Sequence, residues 1–86
     1  MAQVIIRFWA AAKEAAGTAE EQVDAVTLAG AVATVLDRRA PDDRLRQVMA
    51  RSSFLVNALP VRREAQAETF LEDGATIEVL PPFAGG

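Results

Sequence analysis

The sequence contains no cysteine, no histidine and no tyrosine, and these absences exclude more chemistry than any motif in it supplies. Without thiol or imidazole there is no cysteine nucleophile, no Ser-His-Asp relay, no thiolate or imidazole metal ligand and no disulfide framework. What remains for chemistry is carboxylates, Ser, Thr, the single lysine Lys13 and the two chain termini. Positive charge is also scarce. Nine Lys and Arg against 12 Asp and Glu give a net charge of −3 and a pI near 4.8, the reverse of what neutralising a phosphate backbone requires. Nucleic acid is therefore not an expected partner. Long apolar runs are missing as well: the longest, Phe8 to Ala12, falls far short of the roughly 20 residues that span a bilayer, and no charged N-terminal region leads into an apolar stretch. No membrane association is expected, and the cytoplasm is the default compartment.

What is present is enough for one modest core. A chain of 86 residues with 51% hydrophobic content is the size of a single domain, and at this length roughly 60–65% of the unfolded surface is buried on folding. Little material is left for a deep, enclosed active site, which disfavours a self-sufficient enzyme.

Periodicity orders the elements. Gln3 to Trp9 reads as a strand with Val4, Ile6 and Phe8 on one face. The alanine-rich segment Ala10 to Ala16 reads as a short helix closed by Gly17 in a left-handed cap. Glu20 to Val26 is a second strand, antiparallel to the first. Thr27 caps the main helix, whose stripe is Leu28, Val32, Val35 and Leu36 and which ends by Ala40 because Pro41 follows. Asp42 or Asp43 caps a further short helix bearing Leu45, Val48 and Met49 over one edge of the sheet. Phe54 to Asn57 is a strand, Ala58 to Pro60 a turn, Val61 the start of a brief returning strand, and Arg62 to Glu68 a polar segment. Glu72-Asp73-Gly74 turns the chain into a last strand, Ala75 to Leu80, with Ile77 and Val79 inward. The predicted class is α+β: a mixed β-grasp sheet over residues 1–80 with one main helix across one face and its first and last strands parallel neighbours.

After Leu80 the sequence reads Pro81-Pro82-Phe83-Ala84-Gly85-Gly86. Prolines fix φ and donate no hydrogen bond, so they end sheet pairing and send residues 81–86 outward as an extended tail. Gly85 and Gly86 lack a Cβ and fit a channel too narrow for other residues. The reactive group such a tail presents is the carboxylate of Gly86, with Gly85, Ala84, Phe83, Pro82 and Pro81 threading behind it. Attack of that carboxylate on the α-phosphate of ATP would give an acyl-adenylate, and a sulfur donor could then convert it to a thiocarboxylate.

Trp9, Leu80 and Phe83 form a candidate apolar docking patch near this tail, although Trp9 reads equally well as a plug that closes the end of the core beneath the following helix. The acidic pairs Glu20-Glu21, Asp42-Asp43 and Glu72-Asp73 read as solvated surface, because adjacent side chains diverge and no pair converges on one atom. No metal site is expected. Arg38-Arg39 reads as charge complementing a helix C-terminus, and Arg62-Arg63 reads equally as an exposed polar turn or as a contact for an acidic edge of a partner.

The opening strand running into Phe8-Trp9-Ala10, Lys13-Glu14 with Gly17, Val56-Asn57 before a turn, Asp73-Gly74 before the last strand, and the Pro81-Pro82-Phe83-Ala84-Gly85-Gly86 ending together resemble the MoaD/ThiS family of ubiquitin-like sulfur carriers. The resemblance is greatest to MoaD-type small subunits of molybdopterin synthase, from which the sequence departs at Ala58, where Gly or a polar residue is usual, and at Phe83, where a smaller apolar residue is common. It implies a β-grasp carrier that binds no cofactor itself. Gly86 would be adenylated with ATP by a MoeB-like activating enzyme and receive sulfur from a sulfurtransferase or cysteine desulfurase. Inside a MoaE-like large subunit, the tail would donate that sulfur for dithiolene formation on a cyclic pyranopterin. The chain itself would be a non-catalytic sulfur-donor subunit. The alternatives are a carrier for thiamine, cysteine or another sulfur pathway, a protein-tagging modifier activated in the same way, or a β-grasp interaction module with an inert tail.

Overall fold

The computed structural model describes residues 1–82. Its strands are β1 (Ala2–Phe8), β2 (Glu20–Ala25), β3 (Ser53–Val56), β4 (Leu59–Val61) and β5 (Thr76–Leu80); its α-helices are α1 (Ala10–Ala16), α2 (Leu28–Asp37) and α3 (Arg44–Met49). They form one sheet in the order β2-β1-β5-β3-β4. The central pair β1 and β5 is parallel, with Ile5 opposite Thr76 and Phe8 opposite Val79, and every other pair is antiparallel. This is the predicted β-grasp topology, with α2 across one face. No helix among the described residues is long and apolar enough to cross a membrane.

Alternation along the central strands makes the core. Val4, Ile6 and Phe8 of β1 and Ile77 and Val79 of β5 are buried on one face, where they meet Leu28, Ala31, Val35 and Leu36 of α2. The α2 stripe differs from the predicted one at a single residue: Ala31 is buried and Val32 only partly so. Thr27 caps α2 as expected, its Oγ1 accepting from the Gly30 N–H at 3.1 Å, and Gly17 closes α1 at φ 81°, donating to the Lys13 carbonyl at 3.0 Å. At α3 the cap falls to the first acid of the pair: Asp42 Oδ1 accepts from the Arg44 N–H at 2.9 Å, while Asp43 makes no capping bond. The polar stretch after β4 is ordered rather than irregular, as a 3₁₀ helix over Arg63–Glu68.

Two of the acidic pairs are not simply solvated. The Asp73 carboxylate accepts the Gln3 N–H at 2.7 Å, tying the last turn to the first strand. Glu21 lies between two arginines, with a side chain only 18% exposed. Arg38 donates to it at 2.9 Å and Arg39 donates to its other oxygen. Arg39 also donates to the Ala16 carbonyl at 3.1 Å and the Val35 carbonyl at 2.8 Å, and its guanidinium lies 5.6 Å from the centre of the Phe8 ring. The Arg38-Arg39 pair therefore does more than complement a helix end. It ties the C-terminal ends of α1 and α2 to β2, and Arg38 also covers the Gln22 carbonyl of that strand at 2.9 Å.

The β3–β4 hairpin turns through Asn57 and Ala58, whose φ values of 49° and 69° are both positive. A two-residue hairpin loop of type I′ requires this left-handed backbone at both positions. Asn57 tolerates it, and its Oδ1 accepts the Thr76 N–H at 3.0 Å; an alanine in that region carries roughly 1–2 kcal/mol of strain. Ala58→Gly relieves the strain at some cost in unfolded-state entropy, and we expect a net gain of about 0.5–1 kcal/mol, read as a raised thermal midpoint. Partial burial disfavours the Glu21 carboxylate, but hydrogen bonds and charge from Arg39 and Arg38 outweigh it, so its pKa lies below the ordinary 4.5. A carboxylate with a depressed folded-state pKa contributes stability above its unfolded value and loses that contribution as pH falls through the folded one. Glu21→Gln is thus expected to cost about 1–3 kcal/mol at pH 7, with the gap to wild type closing below pH 4.5; urea unfolding at neutral and acid pH checks both.

Candidate functional site

Because β1 and β5 run parallel at the centre of the sheet, their C-terminal ends emerge on the same side. Trp9 follows β1 directly, and its N–H donates to the Val79 carbonyl of β5 at 3.2 Å, holding the two chain exits together. The chain then enters α1 sharply: Ala10 takes a left-handed φ of 49°, and the Trp9 carbonyl accepts from the Ala12 N–H at 2.9 Å. At its other end α1 is held by the bonds from Arg39 to the Ala16 carbonyl. Pinned at both ends, α1 turns Ala12 into the core and leaves Ala10, Ala11 and Glu14 exposed.

The result is a groove of about 600 Å³. Trp9, Ala10, Ala11 and Glu14 line one side, and Leu80, Pro81 and Pro82 the other. The lining is apolar apart from Glu14. Trp9 is 46% exposed, too open to be the plug of the core, while Leu80 and Pro81 are half-buried and Pro82 is exposed. The expected docking residues Trp9 and Leu80 are thus brought together, and the exit of the tail forms part of the same wall. Phe83, Ala84, Gly85 and Gly86, on which the rest of the docking and threading expectation falls, lie outside the described residues.

The contribution of α1 to this wall was not foreseen. An alanine-rich run signals helix propensity, and nothing in its composition marks two of those alanines as part of a groove wall. The role of Arg39 was equally hidden, since its partners Glu21, Ala16 and Phe8 are remote in sequence. A second, more open cleft of about 320 Å³ lies at the opposite end of the strands, between Met1, Val26, Phe70 and Asp73, away from the tail. Among the described residues no cluster of acidic side chains could hold a metal ion.

Comparison with known proteins agrees with this geometry. A model of the ThiS family matches residues 6–86. The solution structure of small archaeal modifier protein 1 from Methanosarcina acetivorans is similar, with a TM-score of 0.82 and 26% identity over 100% of this chain and 98% of that one. So is a chain in the complex of subunits 1 and 2 of the molybdopterin-converting factor from Helicobacter pylori, at a TM-score of 0.70 and 23% identity over 98% and 99%. A putative molybdopterin converting factor subunit 1 from Pyrococcus furiosus gives a TM-score of 0.77 at 18% identity over 96% and 100%; at these last two identities the likeness is one of fold. No curated protein sequence matches the chain.

If Trp9 belongs to a surface and its neighbour Val79 to the core, their truncations separate. Trp9→Ala should lower unfolding stability by about 1 kcal/mol or less, whereas Val79→Ala, at a site with no exposure, should cost roughly 2–3 kcal/mol. Chemical denaturation of the two variants makes the comparison.

Proposed function

Since the chain belongs to the ThiS family of ubiquitin-like sulfur carriers, we propose that it carries sulfur on its Gly86 carboxylate for dithiolene formation in molybdopterin synthesis. The observation that carries the reading is the continuity of β5 with the tail. The strand is paired with β1 as far as Val79 and with β3 as far as Leu80; it passes into Pro81 and Pro82 at the wall of an apolar groove, and the sequence then runs on as Phe83-Ala84-Gly85-Gly86. A rigid body ending in a slim segment suits delivery. Four to six extended residues reach on the order of 13–20 Å, enough to enter a partner's active site while the body stays at the rim.

The chemistry asks little of this chain's side chains. A MoeB-like activating enzyme would bind ATP; the Gly86 carboxylate oxygen attacks the α-phosphorus, and pyrophosphate leaves. A persulfide carried by a sulfurtransferase or cysteine desulfurase attacks the carbonyl carbon of the acyl-adenylate and AMP leaves; a thiol then attacks the donor-side sulfur of the acyl disulfide so formed, making a new disulfide with the donor and releasing the thiocarboxylate. The resulting thiocarboxylate enters a MoaE-like large subunit and transfers sulfur to the pyranopterin. Support for that partner comes from the Helicobacter pylori neighbour, whose structure is a complex of subunits 1 and 2 of the molybdopterin-converting factor. Trp9 and Leu80, with Phe83 beyond them, are the apolar contacts offered to both partners in turn.

A second reading, a protein modifier using the same activation, is favoured by one observation. The small archaeal modifier protein matches the whole chain with higher identity than the molybdopterin-related neighbours reported above.

Intact-mass analysis after incubation with ATP, the adenylating enzyme and a sulfur source is expected to show a gain of about 16 Da on the C-terminal peptide, the difference between one sulfur and one oxygen atom, as nucleophilic acyl substitution requires. Deleting Gly86 should abolish the gain. With the large subunit and the cyclic pyranopterin added, the mass should return to that of the carboxylate as the dithiolene forms. An isopeptide bond to lysines of other proteins in place of that return would select the modifier reading.

A further inference from the structure

The groove holds one charged group, the Glu14 carboxylate, in an otherwise apolar lining. Among the described residues Glu14 takes part in no ion pair; Arg7 is paired with Glu20 at 3.4 Å and Arg39 with Glu21. Lys13, next in sequence, borders the neighbouring cleft beside Arg7 and Glu20 instead. The sequence beyond Pro82 supplies no cation either, since Phe83, Ala84, Gly85 and Gly86 carry none on their side chains. Among the described residues, then, no ion pair compensates Glu14.

That matters because a carboxylate enclosed by an apolar contact without a counter-charge opposes the contact, while the same carboxylate paired across it fixes orientation and excludes wrong partners. The groove also suits one cation better than another. An arginine can lay its aliphatic stem along apolar wall, stack its plane on an exposed indole and still present a fork to a carboxylate, which a lysine ammonium cannot do. The chain's net charge of −3 draws a basic surface towards it at long range. We infer that the groove is read by a partner segment that lays an apolar side chain against Trp9 and Leu80 and sets an arginine against Glu14. The inference rests on the docking role given to the groove above and adds the charge and residue type of what fills it.

Trp9 is the only tryptophan of the chain and lines the groove, so its emission reports occupancy directly. The full chain is titrated with three blocked, tryptophan-free peptides of one apolar sequence that carry Arg, Gln or Glu at a single position. The arginine peptide is expected to bind about threefold tighter than the glutamine peptide and about tenfold tighter than the glutamate peptide. The preference should vanish in Glu14→Gln and fade at about 0.5 M salt, where ionic attraction is screened. Equal binding of all three, a preference that survives Glu14→Gln, or unchanged emission with every peptide overturns the inference. A second measurement separates this proposal from the carrier reading. Glu14→Arg, shown by circular dichroism to be folded, should slow the enzyme-dependent gain in mass at least about tenfold, the effect of placing like charges across an interface. A wild-type rate in that variant overturns the role of Glu14 and leaves the carrier intact. No mass gain in the unaltered chain sinks the carrier reading, and the peptide titration still decides the groove.

Discussion

The parallel pairing of β1 with β5 is the constraint on which the rest depends. Parallel neighbours need a long connection, and here nearly the whole chain between Phe8 and Thr76 serves as that connection. The first and last strands thereby occupy the centre of the sheet, where Ile6, Ile77 and Val79 are completely buried. The same pairing sends both C-terminal ends in one direction, so that Trp9 and α1 on one side and Pro81 and Pro82 on the other become the two walls of a groove. An antiparallel pair would have placed them at opposite ends of the molecule.

The groove also depends on a helix that would not persist alone. Seven residues are well below the length at which an isolated helix is stable in water. Its position is set from outside: by the Trp9 carbonyl at one end, by Ala12 packed into the core, and by Arg39 gripping the Ala16 carbonyl at the other. Arg39 in turn is oriented by Glu21 and rests on the Phe8 ring. A network of polar and cation–π contacts on the far side of α1 therefore holds in place the surface on which a partner would dock, without touching that surface.

The architecture was largely legible because it rests on local signals. Alternation in Val4-Ile6-Phe8 and Ile77-Val79, the threonine before Leu28 and the glycine after Ala16 each reflect a physical requirement met within a few residues. Most strand boundaries moved by a residue. β4 begins two residues earlier than Val61, at Leu59, because the tight turn falls on Asn57 and Ala58 rather than on Ala58 to Pro60, and the 3₁₀ helix over Arg63–Glu68 has neither an apolar stripe nor a side-chain cap to announce it. Of the candidate site, Trp9 and Leu80 were legible as outward-facing apolar residues at strand ends beside a proline pair. Ala10, Ala11 and Glu14 were not, since what makes them a wall is the placement of α1 against residues some seventy positions away. Glu21 was misread as solvated for the same reason: adjacency to Glu20 in sequence says nothing of the two arginines that arrive from the end of α2.

The rims of the sheet bear on how this molecule recognises others. Outer strands present unpaired backbone groups, and each here is blunted. Pro60 removes a donor from the middle of the three-residue β4, and the Arg38 guanidinium occupies the Gln22 carbonyl on β2. A chain so finished is a poor template for lateral strand addition. Both rims are thereby blunted against the ladder growth that leads to fibrils, and a partner meeting the pole where the strands end would find side chains there rather than an open row of backbone groups.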